Sequence, residues 1–180
     1  AHARGDTRIF VKQCVSLAQA GFYTYLIVAD GLGNSKQDDI TIYDVGKGSS
    51  RMSRIIKSTR EVYKKSVEVD ADIYHLHDPE LIPYGLKLLK RGKKVVFDAH
   101  EDLPMQILSK YYLNKYVAHI LSRVVRKYES YACSKMSAVV AATPFIRNKF
   151  LKINSNTIDV NNYPKISEID TRVSWSEKKN

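Results

Sequence analysis

Apolar positions along the chain follow two periods in alternation. From Asp6 to Ala20, Ile9, Phe10, Cys14, Leu17 and Ala18 trace a helical stripe, and Gly21 is a natural helix stop. Phe22 to Ala29 then reads as a strand. Residues 30 to 38 read as a loop, Ile40 to Tyr43 as a short strand, and Gly46 to Ser50 as a second loop. Met52, Ile55, Ile56, Thr59, Tyr63 and Val67 return to helical spacing, before a strand over Ile73 to Leu76. At Asp78-Pro79-Glu80 an N-cap aspartate and a first-turn proline open a helix that ends near Gly92.

Val95 to Ala99 is the next apolar run and reads as a strand. An irregular stretch, Asp102 to Tyr112, precedes a helix whose stripe is Leu113, Val117, Ile120, Leu121, Val124, Tyr128 and Ala132. Ser137 to Ala142 reads as a strand, Thr143-Pro144 opens a helix to about Leu151, and Thr157 to Val160 reads as a last short strand. From Tyr163-Pro164 onward the pattern dissolves into polar and charged residues, as in a linker or tail.

This alternation predicts an α/β fold, a Rossmann-like parallel sheet with helices on both faces, over residues 1–162, with 163–180 as linker. A doubly wound sheet ordinarily begins with its central strand, whereas this chain begins with a loop leading into a helix. The usual first strand is therefore expected to lie upstream.

At 180 residues the chain is long enough for one substantial core. No apolar run approaches the roughly 18 residues of a membrane span, so a cytoplasmic protein is expected. Two cysteines, Cys14 and Cys133, fall in different predicted helices at no metal-ligand spacing and read as packing residues. A net charge of +10 favours an anionic partner. The basic residues cluster on three predicted helices, around Arg51 to Lys65, Lys87 to Lys94 and Arg123 to Lys127. A nucleic-acid motif is absent, which counts against a basic non-catalytic binding module.

Candidate chemistry gathers where two strands end. Ile73-Tyr74-His75-Leu76-His77-Asp78 and Val95-Val96-Phe97-Asp98-Ala99-His100-Glu101-Asp102 each pass from apolar residues into imidazoles and carboxylates. Ligands of parallel α/β sheets bind outside such carboxyl ends. His75 and His77, two apart on a strand, face the same side, and with Asp98 and His100 they admit a metal-dependent hydrolase as an alternative. His100 ends a strongly apolar strand and can exchange hydrogen bonds near neutral pH. Crowded carboxylates must be spread or paired, and Arg4 and Arg8 at the same sheet edge predict at least one Arg-carboxylate pair. Gly31-Leu32-Gly33 lacks the following helix and third glycine of a dinucleotide fingerprint. No Gly-x-Ser-x-Gly elbow or phosphate-binding Lys loop is present.

In order, the segments His2-Ala-Arg-Gly-Asp6-Thr-Arg8, Ser16 to Gly21, Asp72 to Leu81 with its His-Leu-His-Asp-Pro-Glu-Leu, and Lys94 to Asp102 with its Asp-Ala-His-Glu resemble one known pattern. It is that of the N-terminal, acceptor-side half of a two-domain GT-B glycosyltransferase, of the family-4-like type used in bacterial surface polysaccharide synthesis. The resemblance implies retaining, metal-independent sugar transfer without a cofactor, from a nucleotide-sugar co-substrate to a saccharide or lipid-linked acceptor. It implies that His100 is the catalytic-site residue, hydrogen-bonding a sugar hydroxyl rather than attacking as a nucleophile. It places the segment carrying His2, Gly5, Asp6 and Arg8 opposite the donor diphosphate, with His77, Asp78, Glu101 and Asp102 completing the substrate wall. Members often work on an anionic membrane surface, to which the stretch Met105 to Tyr116 is expected to contribute. The donor-binding C-terminal half has no counterpart here, so the chain alone is expected to be silent.

Overall fold

The structure is a computed structural model that describes residues 3–48, 50 and 54–164, with only the backbone of Arg54. His2, Arg51, Met52 and the linker from 165 onward lie outside the described residues.

The N-terminal helix starts where Asp6 accepts hydrogen bonds from the backbone N–H groups of Arg8 and Ile9, both at 2.9 Å. Thr7–Cys14 is wound as a π-helix, because the Asp6 carbonyl is shared by Phe10 and Val11, and Val15–Gln19 continues it as α1. Gly21, at φ +87°, ends it while Phe22 N–H closes onto the Leu17 carbonyl. Ile9, Phe10 and Cys14 are buried against Val28, Ile40 and Ile42. Those last three come from β1 (Tyr25–Val28) and β3 (Ile40–Asp44), which pair in parallel, while β2 (Ser35–Gln37) adds antiparallel to β3. The pattern of apolar residues does not mark β2, since all three of its residues are exposed.

Arg54–Ser58 is again π-helical and leads into α2 (Thr59–Val69). β4 (Ile73–Leu76), β5 (Lys94–Ala99), β6 (Ala138–Ala141) and β7 (Thr157–Asp159) form an all-parallel sheet in that order. Its crossovers are α3 (Ile82–Lys90), entered through a 3-10 turn Pro79–Leu81, then α4 (Leu103–Leu108) with α5 (Lys115–Lys135), then α6 (Pro144–Leu151). The expected α/β alternation is thus present, with a parallel sheet flanked by helices. The core of this sheet is Tyr74, Leu76, Val95, Phe97, Val139 and Phe150 with Ile82, Leu88 and Met136. Gly85 lets α3 lie close: a Cβ there would sit 2.5 Å from Leu76 Cδ1.

Besides β2, which lies within residues 30 to 38 read as a loop, the structure departs from the sequence reading in three places. The strands make two sheets rather than one, because among the described residues nothing pairs with the outer edge of β1 or of β4. The stretch read as irregular contains α4, opened by the same cap-then-proline device seen elsewhere: Asp102 accepts from Met105 N–H and Pro104 stands in the first turn. On α5 the apolar stripe turns outward. Ala118, Ser122, Glu129, Ala132 and Cys133 are buried, while Val117, Ile120, Leu121, Val124 and Tyr128 are exposed. Small residues let α5 approach closely, and the Ser122 hydroxyl donates to the Pro104 carbonyl at 2.8 Å.

Candidate active site

The register of β4 on β5 sets Leu76 beside Phe97, so His77, just past the end of β4, and Asp98, the next residue of β5, come together at the carboxyl edge. Asp98 is wholly buried. Its Oδ1 accepts from an Arg8 guanidinium N–H at 2.9 Å and its Oδ2 from the Gln13 amide at 2.7 Å. Arg8 is 6% exposed and also donates to the Val160 carbonyl at 2.7 Å. Burial alone would raise the Asp98 pKa, but hydrogen bonds from Arg8 and Gln13 and the Arg8 charge outweigh it and hold the carboxyl below its ordinary range. This is the Arg-carboxylate pair the sequence predicts. A second one, between Arg4 and Asp30, fixes the segment before α1 to the end of β1 with two bonds of 2.7 Å.

Three imidazoles surround Asp98. His75 Nε2 and His77 Nδ1 each lie 3.6 Å from Oδ2, and His100 Nε2 lies 3.8 Å from Oδ1. The His75 and His77 rings share one strand face and stack at 4.6 Å between centroids. His77 Nδ1 and His100 Nε2 are 3.4 Å apart, so one ring can donate to the other. Burial lowers the His75 pKa, against an opposing pull from Asp98, so this ring stays neutral at neutral pH. Its Nε2 is buried without a hydrogen bond.

The other candidates occupy distinct places. Asp6 caps the first helix, and the space beside Gly5 is open, with nothing within 4 Å of a Cβ built there. Asp78 is the residue at the entrance to the 3-10 turn, where its backbone carbonyl accepts from Leu81 N–H. Glu101 is exposed and accepts from the Gln106 amide. Asp102 turns to Lys149, whose Nζ lies 3.0 Å from it and 2.6 Å from buried Glu129. Arg8, His77 and His100 therefore meet around Asp98, whereas Glu101 and Asp102 are engaged with α4 and α6. Sequence reasoning missed Gln13, for which the only available signal is a polar residue beside buried Cys14, and it underweighted Asp98, a lone charge within an apolar strand.

His75, His77 and Asp98 offer donor atoms that all lie within 4.8 Å of one another, a set with the chemistry of a zinc site. Both Asp98 oxygens are already committed to Arg8 and Gln13, and a cation there would face the guanidinium. The donor set fits hydrogen bonding to hydroxyl groups better than it fits a metal. Cys14 and Cys133 are buried thiols, pushed up to about 11 and about 12 by burial, and take no part. Among the described residues no helix is long and apolar enough to cross a membrane.

Among curated proteins none matches the chain. The family model described as Glycosyltransferase Family 4 matches residues 5–160, a span that takes in the first helix, both sheets and the entire histidine cluster. With that match and a parallel α/β sheet whose polar residues collect at its carboxyl edge, the chain belongs to glycosyltransferase family 4.

Proposed function

We propose that this chain is the acceptor-side half of a retaining, metal-independent glycosyltransferase acting in surface polysaccharide synthesis. The observation that carries this reading is the set of three imidazoles around one buried, charge-compensated carboxylate at the ends of β4 and β5. Imidazoles donate and accept hydrogen bonds near neutral pH, which suits hydroxyl-rich ligands. His100 holds a sugar hydroxyl at the reacting centre, His77 and Asp78 line the acceptor side, and Glu101 and Asp102 shape the rim. Arg8 and Gln13 act through Asp98 as positioning residues. The segment His2 to Arg8, including Gly5 and Asp6, faces the donor diphosphate, and a C-terminal nucleotide-sugar domain supplies the opposite wall. No resident cofactor is required.

The reading is tested by following the histidine side-chain resonances of the chain by NMR while saccharides and lipid-linked saccharides are added. A ligand is expected to perturb His77 and His100 before other imidazoles, and His100→Ala is expected to weaken its binding. No response to any acceptor class would overturn the reading, as would robust transfer from a nucleotide sugar by residues 1–180 alone. The cluster of His75, His77 and Asp98 favours one rival, metal-dependent hydrolysis. Stoichiometric zinc or manganese, removed only by chelator, would establish that rival.

A further inference from the structure

The turn that carries His100 is held by a side chain from a distant helix. His100 follows directly on β5, and the chain leaves it through Glu101 and Asp102 into α4. Asp102 fixes the far end of this turn with one carboxylate oxygen. Its Oδ1 accepts from Met105 N–H at 3.3 Å and from Lys149 Nζ at 3.0 Å. Lys149 belongs to α6 and also donates to Glu129 of α5 at 2.6 Å. One ammonium group therefore ties the His100 turn to two helices.

The anchor end of this tie is rigid. Glu129 is 3% exposed, and Lys149 Nζ lies 4.8 Å from the ring centre of wholly buried Phe150, which meets Phe97 of β5 edge-on. Hydrogen bonds between charged partners are shorter and stronger than neutral ones. Two carboxylates here share one cation: burial raises the Glu129 pKa and the charge of Asp102 adds to that rise, against Lys149. Without Lys149, Asp102 would face Glu129 uncompensated, and Asp102 is the less buried of the two, at 16% against 4%. Asp102 would then swing toward water, α4 would lose its cap, and His100 would lose the fixed turn that sets its Nε2 3.4 Å from His77 Nδ1. The turn after β4 is closed differently, by Leu81 N–H donating to the Asp78 carbonyl at 3.0 Å with Pro79 in its first turn. His75 and His77 are thus placed independently of Lys149.

We infer that Lys149 is a positioning residue for His100, acting through Asp102 with Glu129 as its anchor. That the positioned imidazole serves sugar transfer rests on the function proposed above, whereas the positioning itself does not.

The test is NMR of the 180-residue chain at neutral pH, reading two ring-proton cross-peaks. One joins His77 to His100, whose centroids are 5.6 Å apart, and the other joins His75 to His77, at 4.6 Å. In Lys149→Met the first is expected to be lost and the second retained. Lys149→Arg, which keeps the charge and can donate to both carboxylates, is expected to retain both. Lys149→Met leaves Glu129 buried without its cation, which can prevent folding. Lys149→Met/Glu129→Leu removes both buried charges, restores a packed interior, and still leaves Asp102 unheld, so it is expected to lose the first cross-peak alone. A His77–His100 cross-peak that persists in this double variant overturns the inference, as does its equal loss in Lys149→Arg. So does joint loss of both cross-peaks in a variant whose circular dichroism is native, the mark of an ion pair that supports the fold in general. Ligand binding is not read in this assay, so its failure leaves the glycosyltransferase reading standing, and a wild-type His100 indifferent to saccharides bears on that reading alone.

Discussion

Asp98→Asn separates the charge of the buried pair from its shape. The substituted side chain keeps an oxygen for the Arg8 guanidinium, and its amide can donate to Gln13, whose Oε1 is buried and unpartnered, once that side chain turns over. What is lost is the negative charge opposite a guanidinium that is 6% exposed. Unit charges about 4 Å apart attract by about 4 kcal/mol at an effective dielectric near 20. Leaving one partner of a buried pair uncompensated typically costs about 3–5 kcal/mol. Against a total stability of about 5–15 kcal/mol for a domain, this is a large fraction. The assay is urea unfolding at pH 7 followed by circular dichroism, with the shift in midpoint read at unchanged slope.

The pH dependence supplies an independent arm. Asp98 has a lowered pKa in the folded chain, so its stabilisation is complete above the unfolded value near 3.8 and disappears as pH falls through the lower folded value. The Asp98 contribution to the gap between wild type and Asp98→Asn is therefore expected to close below about pH 4. Arg8→Met/Asp98→Leu, which removes both charges, is expected to be more stable than Asp98→Asn. A loss under about 1 kcal/mol in Asp98→Asn, the range of exposed ion pairs, would refute the account of the pair as buried and unscreened.

Packing and titration at other positions can be tested in the same way. Gly85→Ala is expected to destabilise by about 1–3 kcal/mol through overpacking, because the added methyl meets Leu76, Val95 and Met136; an unchanged melting temperature would contradict that close approach. His75 has a folded pKa below 6.5, so the unfolded chain takes up its proton first and stability falls as pH drops below about 6.5. His75→Gln is expected to flatten that part of the stability profile, measured by thermal melts at pH values on both sides of it. Burial raises the Glu129 pKa despite Lys149, so Glu129→Gln is expected to lose little stability at pH 7; a loss above about 2 kcal/mol in urea would show that the ion pair dominates. When the chain is joined to a donor-binding half, His100→Ala is expected to lower kcat for sugar transfer with its melting temperature nearly unchanged.

Most strands and helices are readable in the sequence because each depends on local pattern. The run Val95 to Ala99 has no other use than a buried parallel strand, and Asp78-Pro79 and Thr143-Pro144 mark helix starts through their first-turn prolines, with a side-chain cap at Thr143 but none at Asp78. β2 is not readable, since exposed Ser35, Lys36 and Gln37 carry no burial signal and join the sheet only by pairing with β3. The two edges left by β1 and β4 depend on long-range pairing, which no periodicity encodes. The outward turn of the α5 stripe is hidden for a related reason: helical spacing shows that Val117, Ile120, Leu121 and Val124 share a face, but not which face the fold buries. At the site, the alternation of His75 and His77 is explicit, whereas Gln13 becomes visible only once the approach of the first helix to β5 is known.

The ion pair at the centre of the site is also a joint of the fold. Arg8 belongs to the helix packed on β1 and β3, Asp98 to the other sheet, and Val160 to the segment after β7, so one guanidinium ties positions 90 and 152 residues away in sequence. Gln13 makes the same crossing from further along the helix. The two hydrophobic cores thus meet through polar contacts that simultaneously fix the carboxylate around which His75, His77 and His100 are arranged. Changes to Arg8, Gln13 or Asp98 must then alter stability and site geometry together, whereas a change at His100, which is partly exposed and outside the Arg8 and Gln13 bonds, can alter chemistry alone. A comparison of kcat with unfolding midpoint across these four positions therefore distinguishes positioning residues from the residue that touches substrate. Equal loss of both quantities at His100 would place it in the joint rather than at the reacting centre.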